Sequence, residues 1–309
     1  MIKAFKIARL FGIDFEIDLS WFVVLVLIIW SLTQYFLQTL PSCSLVFGVF
    51  VATFSAILFF LSILLHELAH SLVGKIFDIH VTKITLFLLG GVAQFDNRGY
   101  LKSPKAEFAM AAAGPLCSLC LAGLYLALLN FLPLDWIRHI WFYLFAINLI
   151  LAIFNTIPAF PMDGGRMLRA IIWWRTKNLL KSTATAKIIS KMLIPWLVAG
   201  LYFWGGPYNA LWGLLIAFFI WTAAEDEYRF IKTREKLGNL KVRDLIETIK
   251  APFLKSEGDE NIFCAPEDDL IETVLKMRQL KQLSLLVIDR NLVAGEIRLS
   301  RIVEYLNNQ

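Results

Sequence analysis

Long runs without an ionisable residue are the feature that most constrains this sequence. Residues 19–65 contain no Asp, Glu, Lys, Arg or His, and the same holds for residues 108–134 and 140–162. A membrane-spanning helix needs about 20 mainly apolar residues, so each run can supply at least one span. The composition agrees, since 58% of the residues are hydrophobic and 18% are charged, against about 25% charged in an average soluble chain. The chain is therefore predicted to be an integral, multi-pass protein of the lipid bilayer.

Interruptions in these runs give the number of spans. Pro41 divides the first run into spans at about 20–40 and 44–75. Residues 192–224 are also free of ionisable groups but are broken by Gly205, Gly206 and Pro207, which predicts a hairpin of two spans. With one span from each of the other two runs, the prediction is a polytopic α-helical membrane protein with about six transmembrane helices.

The basic residues indicate the orientation. They cluster in alternate loops: residues 3–9, 75–105, 166–181 and 229–236 contain most of them, whereas the intervening loops contain Arg138 and His139 as the only basic groups. Loops rich in Lys and Arg remain in the cytoplasm, so both termini are predicted to be cytoplasmic, at the plasma membrane if the chain is prokaryotic. The net charge of +5 is distributed between apolar stretches, which argues against a nucleic-acid partner.

The run HELAH at residues 66–70 lies inside the second predicted span. His66 and His70 are four residues apart, so both imidazoles project from one face of a helix and can bind one metal ion. Zinc suits two imidazoles, one carboxylate and an open position, which together form a catalytic type of site. Glu67 lies beside the pair and is placed to act as a base towards water and as an acid towards a leaving amine. Two histidines satisfied within the core are the alternative, but three ionisable groups within a span indicate function.

Asp163 is the candidate for the third ligand. It follows residues 140–162, where Pro158 and Pro161 break the helix, and it precedes Gly164 and Gly165, which permit a tight turn. Broken helix at membrane depth is tolerated where it lines a cavity or is buried in protein. The sequence therefore predicts zinc binding by His66, His70 and Asp163, with a helix-terminal carboxylate as the alternative for Asp163.

Two further features point to substrate binding. Asn155 precedes the broken segment and could donate a hydrogen bond to a substrate or to a developing oxyanion, with an interhelical hydrogen bond as the alternative. Residues 81–95 are predicted to form a re-entrant β-hairpin with a turn at Gly90 and Gly91. Its edge could pair with an extended peptide, and a lipid-facing amphipathic loop is the alternative.

Four motifs in this order resemble the site-2 protease family of intramembrane metalloproteases. They are HELAH, GGVA at residues 90–93, AGPL at 113–116 and NTIPAFPMDGG at 155–165. The resemblance covers about residues 5–225 and is greatest to the prokaryotic branch with a C-terminal cystathionine-β-synthase-type (CBS) domain. It implies zinc binding by His66, His70 and Asp163, catalysis by Glu67, and substrate clamping by Gly90 and Gly91. It also implies single-span membrane-protein substrates. Many members have Asn where this chain has Ser118, which questions the local helix packing.

The C-terminal part has a different composition. Residues 1–225 are predicted to form the membrane-embedded domain, 226–240 a charged linker, and 241–309 a cytoplasmic α/β module that resembles one CBS unit. Its expected elements are a helix at 242–248, a strand near 262–264, a helix at 270–279, strands at 284–288 and 292–297 around a turn at 289–291, and a helix at 300–306. Such units normally pair, so a homodimer is predicted. The resemblance also implies binding of an adenine nucleotide, and a purely structural dimerisation module is the alternative.

Hydrolysis of a peptide bond in or near a transmembrane segment is the function that these features favour. A metal-dependent membrane transporter or sensor is the second hypothesis, but transporters generally contain related halves, and a second HExxH or PxxPxDGG is absent from the sequence. An inactive scaffold is the third. Loss of the glutamate or of a ligand is typical of such proteins, and this sequence retains all four residues.

Overall fold

A computed structural model describes the chain in two compact units, Met1–Ala224 and Glu225–Gln309. The residues that it describes are 4–40, 43–87, 90–95, 103–129, 131, 135–238, 240–248, 263–280, 282–289 and 292–307.

Long apolar helices form most of the first unit. They are α1 (Leu19–Thr39), α2 (Leu45–Ile76), α3 (Pro104–Leu128), α4 (Asp135–Thr156), the shorter α5 (Asp163–Thr176) and α6 (Leu179–Gly238). The first three helices begin at residues whose side chains accept hydrogen bonds from the first helical turn, namely Asp18, Ser44 and Ser103. Among the described residues, five helices are long and apolar enough to cross a membrane. The mostly helical, multi-pass membrane fold is therefore confirmed.

Helix α6 bends back on itself. Gly205 and Gly206 have non-helical backbone angles, and the φ angle of Gly206 is 71°, a value that favours glycine. The ammonium of Lys191, before the bend, lies 3.7 Å from the centre of the ring of Trp221, after the bend. Two residues 30 positions apart meet in this way only if the two halves run antiparallel. The hairpin predicted at the glycine pair is therefore present.

A four-stranded sheet packs against the helices. Its strands are β1 (Ala4–Leu10), β2 (Ile13–Asp18), β3 (Val81–Phe87) and β4 (Gly90–Phe95), in the order β1-β2-β3-β4. Strands β2 and β3 are parallel because α1 and α2 connect them, and the other pairs are antiparallel. The buried face consists of Ile13, Phe15, Val81 and Ile84, which pack with Leu64 and Leu68 of α2. The sheet therefore adjoins the helix that contains HELAH.

The hairpin predicted for residues 81–95 is confirmed, but one detail is wrong. Gly90 and Gly91 are the first residues of β4, paired with Phe87 and Leu86, rather than the turn itself. Residues 88–89, between the strands, lie outside the described residues. Sequence reasoning also misses β1 and β2, because their alternation of charged and apolar residues is equally typical of a basic terminal segment. It misses α5 because the arginines of that helix are typical of a loop.

The second unit is a small α/β fold. It contains a 3₁₀ turn (Val242–Asp244), β5 (Glu247–Thr248), β6 (Phe263–Cys264), α7 (Leu270–Leu280), β7 (Ser284–Asp289), β8 (Leu292–Arg298) and α8 (Leu299–Asn307). The sheet order is β5-β8-β7-β6. The helix predicted at 242–248 is wrong, since only the short turn and β5 lie there. The other elements agree, apart from residues 262 and 290–291, which lie outside the described residues.

Candidate metal centre

His66, His70 and Asp163 converge on one point. Asp163 Oδ2 lies 3.2 Å from His66 Nε2 and 3.1 Å from His70 Nε2. The exposed fractions of the three residues are 4%, 6% and 8%. Among the described residues, this is the cluster of His, Cys, Asp and Glu that could hold a metal ion. The two helix positions that the i, i+4 spacing predicts to share a face, and the Asp predicted to join them, therefore do come together.

The broken helix delivers Asp163 to this point. Helix α4 ends at Thr156 and α5 begins at Asp163, so the prolines at 158 and 161 lie in the connection. The chain folds tightly here: a Cβ on Gly164 would lie 2.2 Å from the Thr156 carbonyl oxygen, and one on Gly165 would lie 2.6 Å from the Phe160 nitrogen. The glycines are required because the connection packs directly against the first turn of α5.

Helix α3 orients both imidazoles. The His70 Nδ1 lies 2.6 Å from the Met110 carbonyl oxygen, to which it donates, and the His66 Nδ1 lies 2.9 Å from the Ser118 hydroxyl oxygen. Because an Nδ1–H that donates to a carbonyl leaves Nε2 with its lone pair, this bond selects the tautomer of His70 that can bind a metal. Sequence reasoning misses both partners, although Ser118 stands out as a departure from the family pattern.

The residues present fit zinc. Four-coordinate zinc with ligands at about 2.0–2.1 Å places its ligand atoms roughly 3.3 Å apart, close to the observed histidine–aspartate distances. Gly114 of α3 faces the same point, and a Cβ there would lie 2.2 Å from His70 Nε2 and 2.6 Å from His66 Nε2. The glycine of the AGPL motif therefore leaves space at the two nitrogens that would bind the ion.

Glu67 lies next to the ligands on α2 and is half-buried. Its carboxylate is close enough to interact electrostatically with His66, His70, Asp163 and Arg166. The side chain is thus in the same polar cluster as the three ligands. This is the position that the HExxH spacing predicts for a group that transfers protons.

Asn155 and the glycine pair are placed differently. The Asn155 side chain donates to the Leu151 carbonyl oxygen at 3.0 Å, one turn earlier in its own helix. Among the described residues, the Asn155 side chain makes no hydrogen bond to His66, His70 or Asp163 and none to another helix. Gly90 and Gly91 lie in β4, at the edge of the sheet that packs on α2.

A buried ion pair joins the helices on either side of the centre. Arg169 of α5 donates from Nε to Glu107 Oε1 of α3 at 2.7 Å, and its Nη2 also contacts that oxygen. Both side chains are fully buried, and the guanidinium carbon lies 5.2 Å from the centre of the Phe160 ring. This pair, which sequence reasoning misses, connects α5, the helix that begins with Asp163, to α3, the helix whose residues bond the two imidazoles.

A buried His–His–Asp centre with an adjacent glutamate, in a unit made mainly of long apolar helices, defines the class of membrane metalloproteins with an HExxH site. Comparisons with known proteins specify the family. The sequence model of peptidase family M50 matches residues 54–135 and 130–199. Zinc metalloprotease MJ0392 of Methanocaldococcus jannaschii is 33% identical over 249 residues, which cover 80% of this chain and 67% of that protein. This chain belongs to peptidase family M50.

Two further proteins are also similar. The Rip3 protein of Mycobacterium tuberculosis strain H37Rv is 32% identical over 252 residues, which cover 79% of this chain. The chain spans 63% of the length of Rip3. A solved structure, the site-2 protease from Methanocaldococcus jannaschii, is 29% identical with a TM-score of 0.49, covering 73% of this chain and 95% of that one.

Proposed function

We propose that this protein is an intramembrane zinc metalloprotease that hydrolyses a peptide bond in or near a transmembrane segment of a membrane-protein substrate. The observation that carries the proposal is the convergence of His66, His70 and Asp163 beside Glu67, with the first three buried. Membership of peptidase family M50 supports the reaction class.

His66, His70 and Asp163 would hold the ion, and Glu67 would handle the protons. Zinc bound there would supply a Lewis acid for the scissile carbonyl and for the attacking water, whose pKa it would lower to about 7. Glu67 accepts the proton of the attacking water and then donates it to the departing amine. Ser118 and the Met110 carbonyl keep the imidazoles oriented through the reaction, because each bonds the ring nitrogen that faces away from Asp163.

Strand β4 is the proposed docking edge for the substrate. It lies at one edge of the four-stranded sheet, and an extended peptide can add a strand to such an edge through main-chain hydrogen bonds. Gly90 and Gly91 at the start of β4 carry no side chains and allow a close approach. Asn155 would donate to the substrate or the oxyanion after releasing the Leu151 carbonyl oxygen. Single-span membrane proteins are the proposed substrates, since one unwound segment must enter a site within the bilayer.

The topology proposed is six crossings with both termini in the cytoplasm. The antiparallel halves of α6 support two crossings from that helix, and the alternation of basic loops supports the orientation.

The membrane-embedded protease domain would occupy residues 1–225. After a linker at 226–240, residues 241–309 are proposed to form a CBS-like cytoplasmic module that regulates the protease or joins two chains in a homodimer. Binding of an adenine nucleotide there stays a prediction. Light scattering of the purified protein would measure the oligomeric state, and calorimetric titration with ATP would measure nucleotide binding.

The substitution Glu67→Gln tests the proposed reaction. Purified protein with zinc should cleave a synthetic single-span substrate in nanodiscs, and the variant should keep its zinc but lose cleavage by at least a hundredfold. Glu235→Gln, at an exposed position outside the site, is the matched control and should cleave like the unaltered protein. Equal cleavage by the Glu67 variant would refute the mechanism, and absence of cleavage by the unaltered protein would refute the function.

A further inference from the structure

Two arginines of α5 have buried guanidinium nitrogens, but their surroundings differ. Arg169 is bonded to Glu107 and lies over the Phe160 ring. Arg166 lies one turn earlier, and its Nε and Nη2 atoms are buried without a hydrogen-bond partner in the part of the chain that the structure describes. Two buried N–H donors of a charged group that have no partner are unfavourable, so they indicate a ligand that binds later.

Arg166 faces the metal centre. It is three residues after Asp163 on α5, a spacing that places both side chains on one helix face. Its charge acts on the carboxylates of both Glu67 and Asp163. No salt bridge within 4.0 Å joins Arg166 to another described residue. Arg166 is therefore a cation beside the reaction centre that none of the steps above uses.

The two atoms without partners indicate the shape of the ligand. Nε and Nη2 lie on the same edge of the guanidinium, and their N–H bonds form a parallel fork that matches the two oxygens of a carboxylate. The charge of the site agrees. With neutral imidazoles, a bound zinc ion balances the carboxylates of Glu67 and Asp163, and Arg166 leaves one net positive charge to attract an anion.

We propose that Arg166 binds a carboxylate of the substrate chain, an inference that rests on the proposed proteolysis. Two sources have this chemistry. One is an acidic side chain near the scissile bond. The other is the new C-terminus: the water oxygen bonds to the carbonyl carbon, the C–N bond breaks, the amine leaves with a proton, and the acyl fragment ends in a carboxylate. Arg166 thus selects acidic substrates or holds the product after cleavage.

The experiment separates binding from cleavage by using the full chain with Glu67→Gln in nanodiscs. Both sets of probes derive from a substrate that the unaltered protein cleaves. The first set is its N-terminal product fragment, with the C-terminus either as the acid or as the amide. The second set is the uncleaved substrate, with each Glu or Asp in turn changed to Gln or Asn. Affinity is measured by fluorescence anisotropy for Glu67→Gln alone and combined with Arg166→Gln, Arg166→Lys or Arg175→Gln. Arg175 is exposed near the end of the same helix and serves as the control.

Removal of one partner of a buried charge pair should weaken binding by at least about 30-fold. If the acid fragment loses this affinity with Arg166→Gln while the amide does not, the new C-terminus is the ligand. If one acidic side chain shows the dependence instead, that side chain is the ligand. Arg166→Lys should recover part of the affinity, with zinc content and thermal unfolding unchanged. Equal affinity for acids and amides, or an equal effect of Arg175→Gln, would overturn the proposal. Failure of the unaltered protein to cleave any substrate would refute the proteolysis separately.

Discussion

The Ser118 hydroxyl lies 2.9 Å from His66 Nδ1, on the side of the imidazole away from Asp163. Ser118 is fully buried on α3, and His66 belongs to α2. The proposed metal ligand His66 is therefore oriented from α3, because the serine side chain reaches the ring directly.

Replacement of Ser118 by Ala should weaken zinc binding. The change removes the partner of His66 Nδ1 and lets the ring rotate or adopt the wrong tautomer, and loss of such a partner typically costs 10–100-fold in metal affinity. Competition with a fluorescent zinc chelator measures the affinity. Ser55→Ala is the matched control, since Ser55 is equally buried on α2 but bonds only the Val51 carbonyl oxygen of its own helix. An unchanged affinity in Ser118→Ala would show that this bond does not orient the ligand.

Replacement of Gly114 by Ala should abolish zinc binding without unfolding the protein. The new methyl group would lie 2.2 Å from His70 Nε2, where the ion must bind, so one imidazole has to turn away. Metal content by mass spectrometry and cleavage of the synthetic substrate report the loss.

The control for Gly114 lies in the same helix. A Cβ added at Gly123 of α3 would meet no described atom within 4 Å, so Gly123→Ala should keep its zinc. Both changes favour the helix by up to about 1 kcal/mol, which makes reduced helix stability a poor explanation for any loss. Full zinc content in Gly114→Ala would contradict the close approach of α3 to the ligands.

The sequence predicts the three residues that converge at the proposed metal site because each depends on a local pattern. HELAH sets two imidazoles on one face by helical spacing alone, and Pro158 and Pro161 mark the break that ends at Asp163. The partners of these ligands depend on tertiary contacts instead: Ser118 is 52 residues from His66, and Met110 is 40 residues from His70. Nothing in the local sequence of α3 states which of its residues will face α2.

The missed elements have a related cause. Charged side chains in β1 and β2 pair across the sheet. Lys6 of β1 lies 2.6 Å from Asp14 of β2, and Glu16 of β2 lies 3.0 Å from Lys83 of β3. The same letters in sequence are typical of a basic loop next to a membrane span. Helix α5 escapes prediction because Arg166 and Arg169 suggest solvent, whereas the Arg169 side chain and two of the three guanidinium nitrogens of Arg166 are buried. Charge alone does not distinguish a cytoplasmic loop from a polar helix that closes a buried site.

Disruption of the Glu107–Arg169 pair should destabilise the protein strongly. Arg169→Met or Glu107→Met alone leaves the other group without its buried partner, at a cost of about 3–5 kcal/mol. The double variant Glu107→Met with Arg169→Met should lose less than the sum, because no buried charge remains. Thermal unfolding in detergent measures these effects, with exposed Arg175→Met as the control. Additive losses in the double variant would mean that the two side chains do not act as a pair.

The Cys264 thiol should stay protonated and unreactive in the folded C-terminal module. Burial, reinforced by the nearby Asp268 carboxylate, raises the pKa of Cys264 to about 12, whereas a free thiol has a pKa near 8.5. Alkylation by iodoacetamide requires the thiolate. At pH 8–10, mass spectrometry should therefore find Cys264 labelled slowly in the native protein and rapidly in urea. Fast labelling of native protein at pH 9 would contradict the burial.

The same pKa difference sets the direction of a stability change with pH. Between about pH 8.5 and 12 the unfolded chain has lost the thiol proton while the folded module retains it. The unfolded state then binds fewer protons, so the free energy of unfolding falls as the pH rises through this window and is unaffected by this group below it. Unfolding of the module between pH 8 and 10, followed in the full chain by the urea concentration at which Cys264 becomes labelled, should move to lower urea as the pH rises. The variant Cys264→Ala cannot be labelled at this position, so unfolding of both proteins is then compared by proteolysis within the module. In Cys264→Ala this part of the pH dependence should disappear. An identical pH dependence in the two proteins would contradict the assignment to Cys264.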